Sequence, residues 1–166
     1  MKNGLAVIVI IWGNNVEKVG QFLIKTVDEM TGREVFCVER LRSEVFVSEQ
    51  KITLPELDDI DLHAWQVFLL NEEKTDALST CRIFQDQKLG WMLGRVAVNK
   101  TTRGQHLGSQ MLQAVHKLLI SRNVETLSCH AQISAKPFYD QLGYQVVGDV
   151  FDEGGVEHVM MTKKLG

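Results

Sequence analysis

The stretch that decides the reading is Gly94-Arg-Val-Ala-Val-Asn-Lys-Thr-Thr-Arg-Gly-Gln-His-Leu-Gly-Ser109. An apolar strand pattern runs into a basic, glycine-bearing turn that opens directly onto a helix pattern. Backbone N–H groups at a helix start have no intrahelical partner and carry the positive end of the helix dipole. Gly104 and Gly108 remove side chains that would hold a phosphate away from that backbone, and Arg103 adds a full positive charge. The turn is therefore suited to a pyrophosphate, although a ligand-free strand-to-helix turn would have the same pattern. It is not a Walker loop, because no Gly-Lys-Ser/Thr follows, and it lacks the G-x-G-x-x-G dinucleotide fingerprint.

Working downstream, Gly104 to Ser121 has the clearest helical period in the chain. Leu107, Met111, Leu112, Val115, Leu118 and Leu119 make one apolar face, with His116 expected to point to solvent. Glu125 to Ala131 reads as a strand and Ser134 to Leu142 as a short helix closed by Gly143. Tyr144 to Phe151 and Val156 to Lys163 form a hairpin turned at Asp152-Glu-Gly-Gly155. Upstream, Leu89 to Asn99 is a strand preceded by a hairpin of Ala64–Leu70 and Ala77–Phe84. Val35, Val38, Leu41, Arg42, Val45 and Phe46 follow a helical period, with Thr31 as N-cap and Glu34 completing a capping box. Lys51 to Asp61, with Pro55 and the acids Glu56, Asp58, Asp59 and Asp61, reads as a solvated loop. Val16 to Thr26 is a β-like run. Leu5 to Trp12 is either a buried strand or an appendage ahead of the fold, so residues 1–15 are set apart from a single domain over 16–166. The class is mixed α/β rather than regularly doubly wound.

Composition narrows the function. The 166 residues carry a net charge of −3, with no Lys/Arg cluster of five or six, which disfavours a nucleic-acid backbone binder. Eight apolar residues from Leu5 are too few to span a bilayer. Three cysteines, Cys37, Cys81 and Cys129, are odd in number and far apart, so neither a disulfide framework nor a metal site is indicated, and a reduced cytoplasm is the default compartment. Cys129 and His130 adjoin on a strand and must face opposite ways, which removes a Cys–His nucleophile.

Arg103-Gly104-Gln105-His106-Leu107-Gly108 resembles the R-x-x-G-x-G motif of the GNAT N-acetyltransferases, and Ala135-Lys-Pro-Phe-Tyr-Asp-Gln-Leu-Gly-Tyr144 is similar to their A-x-x-F-Y-x-x-L-G-F/Y helix. Leu41-Arg-Ser-Glu-Val-Phe-Val-Ser-Glu-Gln50 and Asp152-Glu-Gly-Gly-Val-Glu-His-Val-Met-Met161 resemble the ElaA-like branch in particular. One position departs from the pattern: His106 stands where the family has its middle glycine. Histidine enters the left-handed region more readily than most residues, so the turn is expected to be kept.

The resemblance implies a mostly antiparallel sheet splayed at its centre, flanked by helices, with acetyl-CoA as acetyl donor and no metal. Its pyrophosphate would lie on Arg103 to Ser109. Its pantetheine arm would lie between Leu89–Asn99 and Glu125–Ala131, pairing with the main chain of Val96, Ala97 and Val98, with a bulge there holding the thioester oxygen. Gln132 and Phe138 complete the expected donor site. Tyr139 is the implied acid for the departing thiolate, and His158 the implied base for the attacking amine. Arg42, Phe46, Glu49 and Arg95 are candidates to line the acceptor pocket, and His63 could reach it. The acceptor is a small-molecule or peptide amine, with no nucleic-acid or membrane partner, and the N-terminal run could bury itself in a homodimer. A non-catalytic acyl-CoA-binding or regulatory domain is the alternative.

Overall fold

A computed structural model describes residues 17–166; the expectations for Leu5–Trp12 and residues 1–15 lie outside the described residues. Eight strands form one sheet: β1 Glu17–Val19, β2 Phe22–Lys25, β3 Trp65–Leu70, β4 Ala77–Asp86, β5 Gly90–Val98, β6 Thr126–Gln132, β7 Gln145–Glu153 and β8 Val156–Lys164. Their spatial order is β1-β2-β3-β4-β5-β6-β8-β7, and every neighbouring pair is antiparallel except β5 with β6. The mixed, mostly antiparallel class expected from the sequence is the one observed. Within the expected run Val16 to Thr26, the described residues from Glu17 on form two short strands rather than one, because the chain reverses at Gly20-Gln21.

Helix α1, Gly32–Arg42, begins as expected: the Thr31 side chain accepts from the Glu34 N–H at 3.2 Å, and Glu34 accepts from the Thr31 N–H at 2.8 Å. The helical period continues past Arg42, but Ser43–Glu49 is wound as a π-helix. Such widened turns often mark functional positions. Helix α2 spans Leu107–Ser121 and α3 Lys136–Gln141. Helix α2 starts three residues later than its apolar pattern suggested, because Gly104 (φ +81°) and His106 (φ +59°) both have left-handed dihedrals.

Strand alternation sorts side chains to the two faces of the sheet. Cys81 and Ile83 of β4, Leu127, Cys129 and Ala131 of β6, and Val159 and Met161 of β8 join the core with Met111, Leu112 and Val115 of α2. Tyr139 and Tyr144 belong to the same cluster. The opposite face packs on α1 and the π-turn through Cys37, Leu41, Val45, Phe46, Ala77 and Ala97. His116 is buried, not exposed as its sequence position suggested: its Nε2 lies 2.8 Å from the Tyr144 hydroxyl. The residue satisfies a core tyrosine, which helical periodicity alone does not reveal. Among the described residues no helix is long and apolar enough to cross a membrane.

Candidate active site

Among the described residues the sheet has one parallel joint, β5 with β6, and it opens there. Strands β5 and β6 pair at Met92–Ser128 and Leu93–Cys129 and no further, although β5 runs on to Val98 and β6 to Gln132. The divergence begins where β5 bulges. Thr80 faces Ala97 and Arg82 faces Gly94, so Cys81 opposes both Arg95 and Val96, and Arg95 takes φ +53°. The bulge was expected at Val96–Val98 and lies one residue upstream, because Arg95 is the residue that turns left-handed. A gap bounded by Gly94–Val98 on one side and His130–Gln132 on the other results.

The pyrophosphate-type turn lies at the open end of that gap. Helical bonding in α2 begins with the Gln110 N–H donating to the His106 carbonyl at 3.0 Å, so the N–H groups of Leu107, Gly108 and Ser109 precede the helical ladder. His106 occupies the left-handed N-cap position, with its ring exposed and making no cap hydrogen bond. The departure from the glycine pattern is accommodated by this dihedral. A Cβ on Gly104 would meet nothing within 4 Å, so its value is its φ of +81° and the open approach to the backbone. Gly108 has a different reason: a Cβ there would lie 3.3 Å from Val98 Cγ2 and 3.5 Å from the Phe138 ring. It lets α2 approach β5 and α3 closely. Ser109 Oγ donates to the His106 carbonyl at 2.9 Å, and Gln105 is exposed.

Arg103 does not stand free. Its Nε donates to the Val98 carbonyl at 3.0 Å, and its two terminal nitrogens reach the Glu49 carboxylate at 3.0 and 3.1 Å. Arg103, with its charge, holds Glu49 below its usual carboxylate value. Glu49 was expected in the acceptor pocket; instead the end of the π-turn carries it over the coenzyme-type turn. Its neighbour Gln50 accepts from Gln132 Nε2 at 2.7 Å, tying the π-turn to β6 across the gap.

On the α1 face, the gap opens into a cavity of about 460 Å³. Phe46 and Arg95, the acceptor-pocket candidates, line it, together with Gln132, implied for the donor site, and His158, the implied base. Arg42 does not. It is fully buried beneath the cavity, donating to Glu56 at 2.6 Å, Asp61 at 2.8 Å and Glu39 at 3.1 Å. Its place in the amphipathic pattern of α1 was a core position filled by a charge. The segment read as a solvated loop supplies its counter-ions, so Asp61 is buried and Glu56 nearly so. Burial alone would raise Asp61, but the hydrogen bond and charge of Arg42, aided by Arg82, pull it well below the usual carboxylate range. Burial pushes Glu39 up to about 7. His63 ends the short helix Asp59–Leu62, is exposed, and does not line the cavity.

His158 is buried at the cavity wall, its ring stacked on Phe151 with centroids 6.0 Å apart. Its Nδ1 lies 2.8 Å from the Val156 carbonyl. A carbonyl only accepts, so Nδ1 carries a proton and Nε2 is the nitrogen left for proton exchange with a ligand. Nε2 lies 3.6 Å from Glu153 Oε2. The other Glu153 oxygen accepts from His130 Nδ1 at 3.1 Å, a hydrogen bond that raises His130 and lowers Glu153. Glu153 and His130 were absent from the site expected from the sequence. Their signal was there: the hairpin turn fixes Phe151 opposite His158, and Glu153, two residues on, shares that face.

Tyr139 stands on the far face, in the α2–α3 core, edge-on to Phe138 at 5.1 Å and to Tyr144 at 5.5 Å. Burial, reinforced by Cys129 and Cys81, pushes its phenol well above the ordinary value. Burial likewise pushes the Cys129 thiol up to about 12. Among the described residues, no group of three or more His, Cys, Asp or Glu could hold a metal.

Comparison with known proteins agrees with this fold. The profile of an acetyltransferase (GNAT) domain matches residues 44–165. A UPF0039 protein of Schizosaccharomyces pombe is 31% identical over 148 residues, covering 87% of this chain and 97% of that relative. Protein ElaA of Escherichia coli K12 is 26% identical over 148 residues, covering 82% of this chain and 92% of its own length. In structure, an acyl-CoA N-acyltransferase from Pseudomonas aeruginosa aligns with a TM-score of 0.77 at 25% identity, covering 86% of this chain and 97% of that one. The E. coli ElaA crystal structure aligns with the same TM-score at 21% identity, over 86% of this chain and 98% of its own, and shares the fold.

Proposed function

This chain belongs to the GNAT acetyltransferase family, and from that premise we propose that it transfers an acetyl group from acetyl-CoA to a primary amine by direct attack in a ternary complex. The single observation that carries the reading is the split between β5 and β6, with an unpaired helix start at one end and a histidine-lined cavity on one face. The residues fit a coenzyme A thioester. The N–H groups of Leu107, Gly108 and Ser109 with Arg103 suit a pyrophosphate, and the exposed edges of β5 and β6 offer main-chain partners to a pantetheine amide. When bound, the thioester supplies an activated acyl group.

Two side chains carry the proton traffic. His158 Nε2 takes the proton that the acceptor ammonium must lose before its nitrogen attacks the carbonyl carbon. Tyr139 returns a proton to the sulfur as the carbon–sulfur bond breaks, and its raised phenol keeps that proton in place across neutral pH. The two lie on opposite faces of the sheet, so a thioester seated between β5 and β6 must, on this reading, be reached from both faces. Main-chain N–H groups at the Arg95–Val96 bulge steady the developing oxyanion.

Thermal unfolding with and without acetyl-CoA, followed by release of free thiol on adding an amine, tests this. Ligand at about 100 times its Kd adds roughly 2.7 kcal/mol, a shift of roughly 5–10 °C for a chain this size. Tyr139→Phe and His158→Gln are each expected to keep the shift and to lower kcat by about 10²-fold or more. No shift at millimolar acetyl-CoA overturns the reading; a shift with no thiol release across a broad amine panel leaves a coenzyme-binding domain.

A further inference from the structure

Resting on that acyl-transfer reading, we propose that the acceptor is a cationic amine carried on an apolar body, and that Glu153, set between two imidazoles, receives its ammonium group. The argument is one of charge accounting around the cavity. Two guanidinium groups line it, and both are already neutralised. Arg82 holds Asp58 through two hydrogen bonds of 2.7 and 2.9 Å and reaches Asp61 at 3.0 Å. Arg95 lies against Glu56 Oε1 at 3.2 Å, Asp58 at 3.5 Å and the Glu56 carbonyl at 3.3 Å. Neither offers an uncompensated charge to a carboxylate or phosphate on an acceptor, and burying such an anion without one is costly.

The carboxylates divide differently. Glu56 and Asp58 are committed to those arginines. Asp86 has no cationic side-chain partner among the described residues, but its Oδ1 is held in its own turn by the backbone N–H groups of Lys88 and Leu89 at 2.7 and 2.9 Å, and no histidine nitrogen is bonded to it. Glu153 has no guanidinium or ammonium partner among the described residues. One oxygen is oriented by His130, the other lies 3.6 Å from His158 Nε2, and the side chain is 42% exposed. An ammonium docked on Glu153 Oε2 therefore lies beside the nitrogen that must take its proton. Binding and deprotonation share one place.

Apart from Gln132, whose amide N–H is taken up by Gln50, the remaining walls are mostly apolar, among them Phe46, Ile52, Leu54, Phe84, Leu89 and Met92. Leu54 and Leu89 leave 49% and 45% of their surface in water. An apolar acceptor body covers them, whereas the hydroxyls of an amino sugar would lose water there without gaining partners.

Three probes separate the classes: 2-phenylethylamine, phenylalanine (the same body with a carboxylate) and glucosamine. With the full chain saturated in acetyl-CoA, 2-phenylethylamine is expected to have the lowest KM, by about tenfold or more over either rival, which is the weight of one ionic contact. Without any acyl donor, it should shift the imidazole Cε1–H NMR signals of both His130 and His158, and Glu153→Gln should raise its Kd about tenfold while acetyl-CoA affinity stays put. Preference for phenylalanine or glucosamine, an unchanged Kd in Glu153→Gln, or unshifted histidine signals would each overturn the proposal. Amine binding without thiol release strikes the acyl-transfer reading and keeps the ligand class; acetyl-CoA binding with unshifted histidines strikes the ligand class and keeps the transfer reading.

Discussion

Arg103 lies bidentate on Glu49, so the full positive charge it brings to the pyrophosphate-type turn is already spoken for. A diphosphate arriving there must take the guanidinium from a carboxylate delivered by the π-turn. Removing the competitor with Glu49→Gln is expected to tighten acetyl-CoA binding by roughly 2–5-fold, the range of an exposed ion pair. Titration calorimetry at low and at physiological salt checks it, and the gain should shrink as salt screens the pair. Weaker binding in the variant would mean that Glu49 supports the loop rather than competing for it.

The turn itself makes opposite forecasts for two neighbours. His106 holds a left-handed dihedral that glycine adopts without steric cost. His106→Gly should therefore keep acetyl-CoA binding and change stability by no more than about 1 kcal/mol. Gly108→Val places methyl groups against Val98 and Phe138, contacts already at 3.3 and 3.5 Å from a bare Cβ. That overpacking should cost about 1–3 kcal/mol and part the helix from β5. Denaturant melts of both variants give the comparison.

His116 makes stability pH-dependent. Burial, aided by the Lys163 charge, lowers it from 6.5 to about 4. The unfolded chain therefore binds the proton more readily than the folded one, so stability is full above pH 6.5 and falls as pH drops through 6.5 towards 4. The loss is about 3 kcal/mol, from 1.4 kcal/mol per pH unit over that window. Glu39, raised to about 7, acts in the opposite sense between its unfolded value and 7, so the raw curve mixes the two. Subtracting the pH–stability curve of His116→Gln isolates the histidine, and a flat difference would contradict its neutral, buried state.

Beneath the cavity, Asp61 answers both Arg42 and Arg82, at 2.8 and 3.0 Å. Asp61→Asn keeps the shape and leaves two buried guanidinium groups short of charge, so a loss of about 3 kcal/mol is expected. The cavity floor should loosen with it, read as a rise in acceptor KM at unchanged acetyl-CoA affinity. Equilibrium unfolding in guanidinium chloride and initial-rate kinetics measure the two effects separately.

Local chemistry made much of this legible before any coordinates. The Thr31–Glu34 capping box, the apolar face from Leu107 to Leu119 and the Gly143 terminator of α3 are all written within a few residues, where period and cap suffice. Gln132 and His158, paired across β6 and β8, share the cavity face by strand alternation, whereas Phe46 reaches the cavity from the π-turn and Arg95 from the bulge.

The rest depended on contacts between residues distant in the chain. Whether Arg42 faces solvent, ligand or core is decided by Asp61, nineteen positions away, and the fate of Glu49 by Arg103, fifty-four away. The burial of His116 follows from Tyr144 docking over α2, and the junction of Glu153 with His130 from β6 and β7 flanking the same strand β8. By itself the sequence determined the elements, the coenzyme-type turn and the faces of the strands, because those are short-range properties of the backbone. Only the tertiary structure decided which charges are spent on one another and which are left for a ligand, because an ion pair is a property of two side chains in space.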